Sequence, residues 1–103
     1  MPKIVSEELL SEIKKFMDGE GRITLFPAKK RNKILCLFYL AGKFESDIIY
    51  TEKQVNEVID TYHTFRDKWL LRRELINHGL LERLTDGSQY WLAKPLPTPE
   101  ELL

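Results

Sequence analysis

Asp86-Gly87 lies between the runs Leu80-Leu81-Glu82-Arg83-Leu84 and Ser88-Gln89-Tyr90-Trp91-Leu92, and Gly79 stands immediately before the first of them. Few short patterns restrict a fold as much. An Asp-Gly pair favours the tight turn of a hairpin, so the two runs are expected to pair as strands over residues 81–92. Gly79 suits the left-handed position just past a helix end, so a helix arrives from upstream and feeds the hairpin directly. That helix is read over residues 67–78. At about 100° per residue, Leu71, Leu75 and His78 share its core side, and the opposite side presents Arg66, Trp69, Arg73 and Asn77.

Further upstream, Thr51-Glu52-Lys53-Gln54 matches a capping box, in which hydroxyl and amide side chains satisfy each other's orphan backbone donors. It opens a helix over 52–62 with Val55, Val58, Ile59 and Tyr62 on one face. Ile34, Leu37, Phe38, Ala41 and Phe44 recur at helical spacing over 29–44, widened by Leu35 and Leu40 into a core stripe. Arg22-Ile23-Thr24-Leu25-Phe26 alternates and meets Pro27, which predicts a brief strand or extended arm, and Asp47-Ile48-Ile49-Tyr50 is a second short extended segment. Residues 6–17 form an amphipathic lead helix in which Ser6 caps and Leu9, Leu10, Ile13, Phe16 and Met17 recur, ended by Gly19-Glu20-Gly21. Lys94-Pro95-Leu96-Pro97-Thr98-Pro99 breaks regular structure before a last turn capped by Thr98.

The predicted order is helix, extended arm, helix, helix, hairpin. That is an α+β chain of winged helix-turn-helix type, with an extra N-terminal helix and a C-terminal two-stranded hairpin as the wing. Residues 1–20 form the lead helix, 21–93 the winged-helix domain and 94–103 the proline-rich tail. At 103 residues one core is expected. The segments Gly21-Arg22-Ile23-Thr24-Leu25-Phe26-Pro27-Ala28-Lys29, Tyr50-Thr51-Glu52-Lys53-Gln54-Val55-Asn56, Leu71-Arg72-Arg73-Glu74-Leu75 and Gly79-Leu80-Leu81-Glu82-Arg83 resemble the bacterial family called domain of unknown function 2087, over roughly residues 20–92. The resemblance implies a winged-helix-like domain, found alone or joined to transcription-regulator modules, and it implies no catalytic residues.

The 16 basic and 16 acidic side chains cancel, so nucleic acid or lipid would have to be recognised by local charge. Local charge is uneven. Residues 6–20 sum to minus three, residues 22–43 to plus six and residues 45–60 to minus four. Lys29, Lys30, Arg31 and Lys33 gather where the core helix begins and form a candidate phosphate contact, set against the plainer reading of a solvated helix end. Arg72 and Arg83 are further candidates for phosphate, with Lys94 beside the hairpin, whereas Asp86 at its tip repels phosphate. Arginine and asparagine suit guanine and adenine edges, so Arg66, Trp69, Arg73 and Asn77 are the expected base contacts. The competing reading docks Trp69 and Ile76 on the lead helix or a second copy, and pairs Arg73 with Glu12 or Asp60.

Cys36, His63 and His78 are scattered and do not form a metal-ligand pattern. Cys36 has apolar neighbours rather than a base, and neither a phosphate loop nor a nucleophile elbow occurs. The chain is therefore expected to be no enzyme and to need no cofactor. One cysteine and no membrane-length apolar stretch predict a cytoplasmic location. The leading functional expectation is a small DNA-binding or transcription-regulatory module, and the alternative is a protein-protein interaction module without nucleic-acid binding. A homodimer through the N-terminal helix is expected, because its apolar residues span more circumference than one contact needs; the competing reading folds the lead helix back over its own core or basic face, with Glu8 and Glu12 shielding the cluster at Lys29 to Lys33.

Overall fold

The computed structural model describes residues 7–103, so the expected Ser6 cap lies outside the described residues. In chain order the elements are α1 (Glu7–Ser11), α2 (Lys30–Ala41), α3 (Glu52–Thr61), α4 (Lys68–Asn77), β1 (Leu81–Arg83), β2 (Tyr90–Leu92) and α5 (Pro99–Leu102), with a 3-10 turn at Lys14–Phe16. The fold is α+β, five helices and a C-terminal antiparallel hairpin among the described residues, a layout compatible with a winged helix.

The centre of the core is α2, on which α1, α4 and α5 pack. Ile34, Leu35, Cys36, Leu37 and Phe38 are all buried. Five consecutive buried positions exceed one helical turn, so this stretch has no solvent face and the expected stripe becomes an apolar cylinder. Burying Phe38 alone contributes about 1.5–3 kcal/mol. The helix ends at Ala41, short of the expected residue 44, and Phe44 instead meets Tyr50 edge to face with ring centroids 5.3 Å apart. That contact ties the segment after α2 to the hairpin, because Tyr50 exchanges two 2.8 Å backbone hydrogen bonds with Tyr90.

Local signals place the next elements. The Gln54 amide donates to Thr51 Oγ1 at 3.1 Å and the Thr51 amide donates to Gln54 Oε1 at 2.8 Å, which completes the capping box of α3. Asp67 Oδ1 accepts from the Leu70 amide at 3.2 Å and caps α4. Gly79 (φ 76°) and Gly87 (φ 76°) take left-handed backbone at the end of α4 and in the hairpin turn. The hairpin pairs Leu81 with Leu92, Glu82 with Trp91 and Arg83 with Tyr90.

The lead segment departs from the expected helix over 6–17. It stops at Ser11, whose hydroxyl donates to the Glu8 carbonyl at 2.6 Å, and the Glu12 and Ile13 amides bond three residues back in the tighter 3-10 manner. The extended arm supplies the reason. The Phe16 carbonyl accepts from the Thr24 amide at 2.7 Å, and the Asp18 amide donates to the Arg22 carbonyl at 2.9 Å. Residues 16–18 thus pair with residues 22–24, and the break lets Ile13 enter the core. Ile23 also donates to the Tyr62 carbonyl at 2.8 Å and accepts from the Thr64 amide at 3.0 Å, so the arm joins the lead segment to the loop before α4. Leu9, Leu10, Phe16 and Met17 rest on the chain's own core and stay partly exposed. In the tail Pro99 is buried and Leu102 packs on the core; Thr98 precedes α5 without a side-chain cap bond.

Candidate functional site

Because Leu71 and Leu75 turn into the core, Trp69, Arg73 and Asn77, each four residues from the next, face solvent along α4. Trp69 is 60% exposed, so it is not docked on the lead helix. Arg73 has no ion-pair or hydrogen-bond partner among the described residues. The acids considered for it are engaged elsewhere: Glu12 holds Arg31 at 2.8 Å and Asp60 lies 3.7 Å from Lys68. A groove of about 500 Å³ runs between this face and the hairpin, lined by Trp69, Arg73, Asn77, Arg72, Arg83, Glu52 and Asp86 among others.

The charges in the groove differ in availability. Arg72 Nη1 donates to Asn56 Oδ1 at 2.7 Å and lies 2.9 Å from Glu52 Oε1, with a side chain only 15% exposed. It ties α3 to α4 and thereby sets the pitch of the exposed face. Arg83 Nη1 donates to the Leu84 and Thr85 carbonyls at 3.3 and 3.2 Å, folding its guanidinium over the hairpin turn. Asp86 accepts from the Ser88 hydroxyl at 2.7 Å and the Ser88 amide at 2.9 Å, and these bonds hold its carboxyl below the usual aspartate range. The hairpin tip therefore carries a fixed negative charge. Lys94, which stood to favour a wing contact, pairs with Asp47 at 2.7 Å.

Arg66 does not share the α4 face. Asp67 caps the helix and Lys68 begins it, so extending helical geometry back to residue 66 misplaces it. Arg66 instead occupies a left-handed turn (φ 56°), exposed and without a polar partner among the described residues. It lines a second concavity of about 500 Å³ together with Arg22, Asp60, His63, Thr64, Lys68 and Trp69. His63 is buried at its back. Its Nε2 accepts from the Asp67 amide at 3.1 Å, which places the ring proton on Nδ1, donated to the Ile59 carbonyl at 2.7 Å. Phe65 packs edge to face on the same ring, centroids 4.8 Å apart. Trp69 belongs to both concavities and forms the ridge between them.

The cluster at the start of α2 has a different character. Lys29, Lys30 and Arg31 are exposed and line neither concavity. Arg31 makes a two-pronged contact with Glu12 at 2.8 and 2.9 Å, which lowers the Glu12 carboxyl and raises the guanidinium. Lys33 lies 5.6 Å from the Phe26 ring centroid.

Burial pushes the Cys36 thiol up to about 12, so it stays protonated at neutral pH. Among the described residues, no group of three or more His, Cys, Asp or Glu side chains is arranged to hold a metal ion, and no helix is long and apolar enough to cross a membrane.

Reasoning along the sequence passed over Lys68, Arg22 and Glu52. Lys68 carried a signal, since the cap at Asp67 puts it in the first turn beside Asp60 of the preceding helix. Arg22 carried none, because only the pairing of Ile23 with residues 62–64 brings it near Arg66. A family model described as an uncharacterised protein conserved in bacteria (DUF2087) matches residues 22–92. No curated protein and no solved structure matches the chain.

Proposed function

The chain belongs to the bacterial DUF2087 family, whose model spans more than half of it, and on that premise we propose that it is a small winged-helix module that binds DNA and regulates transcription through α4. One observation carries the reading: Arg73, exposed and unpaired, stands between Trp69 and Asn77 on the helix that feeds the hairpin. An arginine without a protein partner is free for two-pronged contact with guanine, Asn77 suits adenine, and Trp69 can pack on sugar or thymine methyl. A single helix also matches the width of the major groove. Lys29 and Lys30 would meet backbone phosphate, and a cytoplasmic location accords with the lone thiol.

Fluorescence anisotropy with duplexes selected from a random pool tests this. The chain is expected to bind, with affinity falling steeply with salt, and Arg73→Ala is expected to weaken the selected site by about 1–3 kcal/mol. Absence of binding to any duplex at low salt overturns it. The carboxylate of Asp86 in the groove, beside an exposed Trp69, favours a second reading, a protein-interaction module, and that outcome would leave it as the better account. A homodimer, which a palindromic site would require, is checked by light scattering on the intact chain, where the mass of a single 12.2 kDa chain would overturn it.

A further inference from the structure

We infer that the concavity between Arg22 and the His63–Lys68 turn is a seat for a phosphate beside a nucleobase, with Arg66 and Lys68 holding the phosphate and Trp69 stacking on the base. The inference deepens the DNA-binding reading and rests on it only where the nucleotide belongs to a strand; a free nucleotide carries the same chemistry.

Three observations converge. The first is charge in a concave place. Arg22, Arg66 and Lys68 line the bowl against the single carboxylate of Asp60, in a volume of about 500 Å³ that falls within the range of small-ligand sites. Arg66 is unpaired among the described residues, and Lys68 is held by Asp60 only at 3.7 Å. Arg22 is fixed by Asp18 at 2.8 Å and Glu20 at 3.2 Å, so it shapes the wall more than it adds free charge. The cationic character comes from side chains, since Asp67 already caps the helix and His63 Nε2 already holds the Asp67 amide.

The second is the aromatic ridge. Trp69 is 60% exposed, and the Lys68 ammonium lies 5.1 Å from its ring centroid. An exposed indole beside cations is the usual platform for a base whose phosphate the cations hold. The third is backbone strain. Arg66 adopts φ 56°, where an L side chain is disfavoured and glycine is at ease. The turn would be more comfortable with glycine, yet it carries the one cation of the bowl that is unpaired among the described residues. Strain retained at such a position points to use of its side chain. Because Trp69 also borders the α4 groove, a strand whose bases meet Arg73 and Asn77 could continue over the ridge into the bowl.

The test uses the full-length chain with Trp91→Phe, which leaves Trp69 as the only tryptophan. Adenosine 5′-monophosphate is expected to quench its emission and adenosine alone is not. Arg66→Gly, which relieves the strained turn and so keeps the fold, is expected to weaken the nucleotide at least tenfold, as is Lys68→Ala. With a 20-base-pair duplex carrying a short single-stranded overhang, whose unpaired bases are free to stack, each substitution should lower the slope of log affinity against log salt by about one. Nucleotide binding without duplex binding leaves the bowl standing with a free nucleotide as its ligand and overturns the DNA reading. Duplex binding with unchanged slopes, and no quenching by the nucleotide, overturns the bowl and leaves the DNA reading. Duplex binding with reduced slopes supports both and identifies a strand. Silence toward both probes overturns both.

Discussion

Two regions of this molecule are rich in positive charge, and they behave oppositely. At the start of α2 four basic residues fall within five positions of the chain, yet they line neither concavity; one is clasped by Glu12 and another lies near a phenylalanine ring. Around the beginning of α4, Arg66 and Lys68 are met by Arg22 from a distant part of the sequence, and the three share a concavity with an exposed indole. Crowding along the chain is a poor measure of a binding surface. A run of like charges spreads away from itself on a helix end, whereas charges gathered by tertiary pairing can face one space.

The sharpest way to break the comparison is to loosen the packing that holds the backbone pairing of the second region in place. Ile23 is fully buried and bonds to both Tyr62 and Thr64. Ile23→Ala is expected to cost about 2–5 kcal/mol, seen as a lower midpoint in urea. Amide exchange should quicken first in residues 62–68, while Ile34 to Ala41 of α2 stay protected; equal loosening of both would show that the regions are not independent.

A smaller effect of opposite sign is expected at the turn itself. Arg66→Gly removes a left-handed strain and should stabilise the chain by about 0.5–1 kcal/mol, measured by thermal melting. A drop in melting temperature would mean that the arginine contributes packing that outweighs its backbone cost.

Smaller still is the reply of the α2 cluster. Replacing Lys29 and Lys30 together with alanine is expected to leave melting unchanged, because neither makes an ion pair among the described residues, and to change the salt slope of duplex binding by less than Arg66→Gly with Lys68→Ala does. A larger change would move the phosphate surface back to α2.

The last effect concerns pH. Asp18 accepts from the Arg22 and Glu20 amides and from the Arg22 guanidinium, and the Arg22 amide is the largest cause of its lowered carboxyl. A carboxyl lower in the folded than in the unfolded chain contributes stability above its ordinary value of 3.8, and that contribution is lost as pH falls through the folded value. Asp18→Asn is therefore expected to melt below the parent at neutral pH, with the gap closing under pH 3.8; a gap that stays constant would contradict the ionic origin of this loop's order.

What could be read from the residues alone was local. The capping box at Thr51, the stop at Gly79 and the turn at Asp86-Gly87 each depend on a handful of adjacent side chains, and all three stand as the sequence suggested. Arg73, Trp69 and Asn77 were legible as an outward stripe because helical spacing alone decides it. Long-range pairing was not legible. Nothing near residues 16–18 announces that residues 22–24 will capture their backbone, so helical spacing predicts a longer lead helix than the one that forms. Helical spacing puts Arg66 on the α4 face only when it is carried past the cap at Asp67, whose geometry depends on His63.

Ile23 against His63, and Tyr50 against Tyr90, are isolated bridges that each join places far apart in the chain. The two enclosed lengths overlap, since residues 50–63 lie inside both. Closing either one restricts the path of the other, so the second closure carries less chain entropy than it would alone. Assembly should consequently be slow relative to the helical content, limited by the search for the first closure, and cooperative afterwards. Under force or proteolysis the molecule would then release its two clasps together rather than peel from one end.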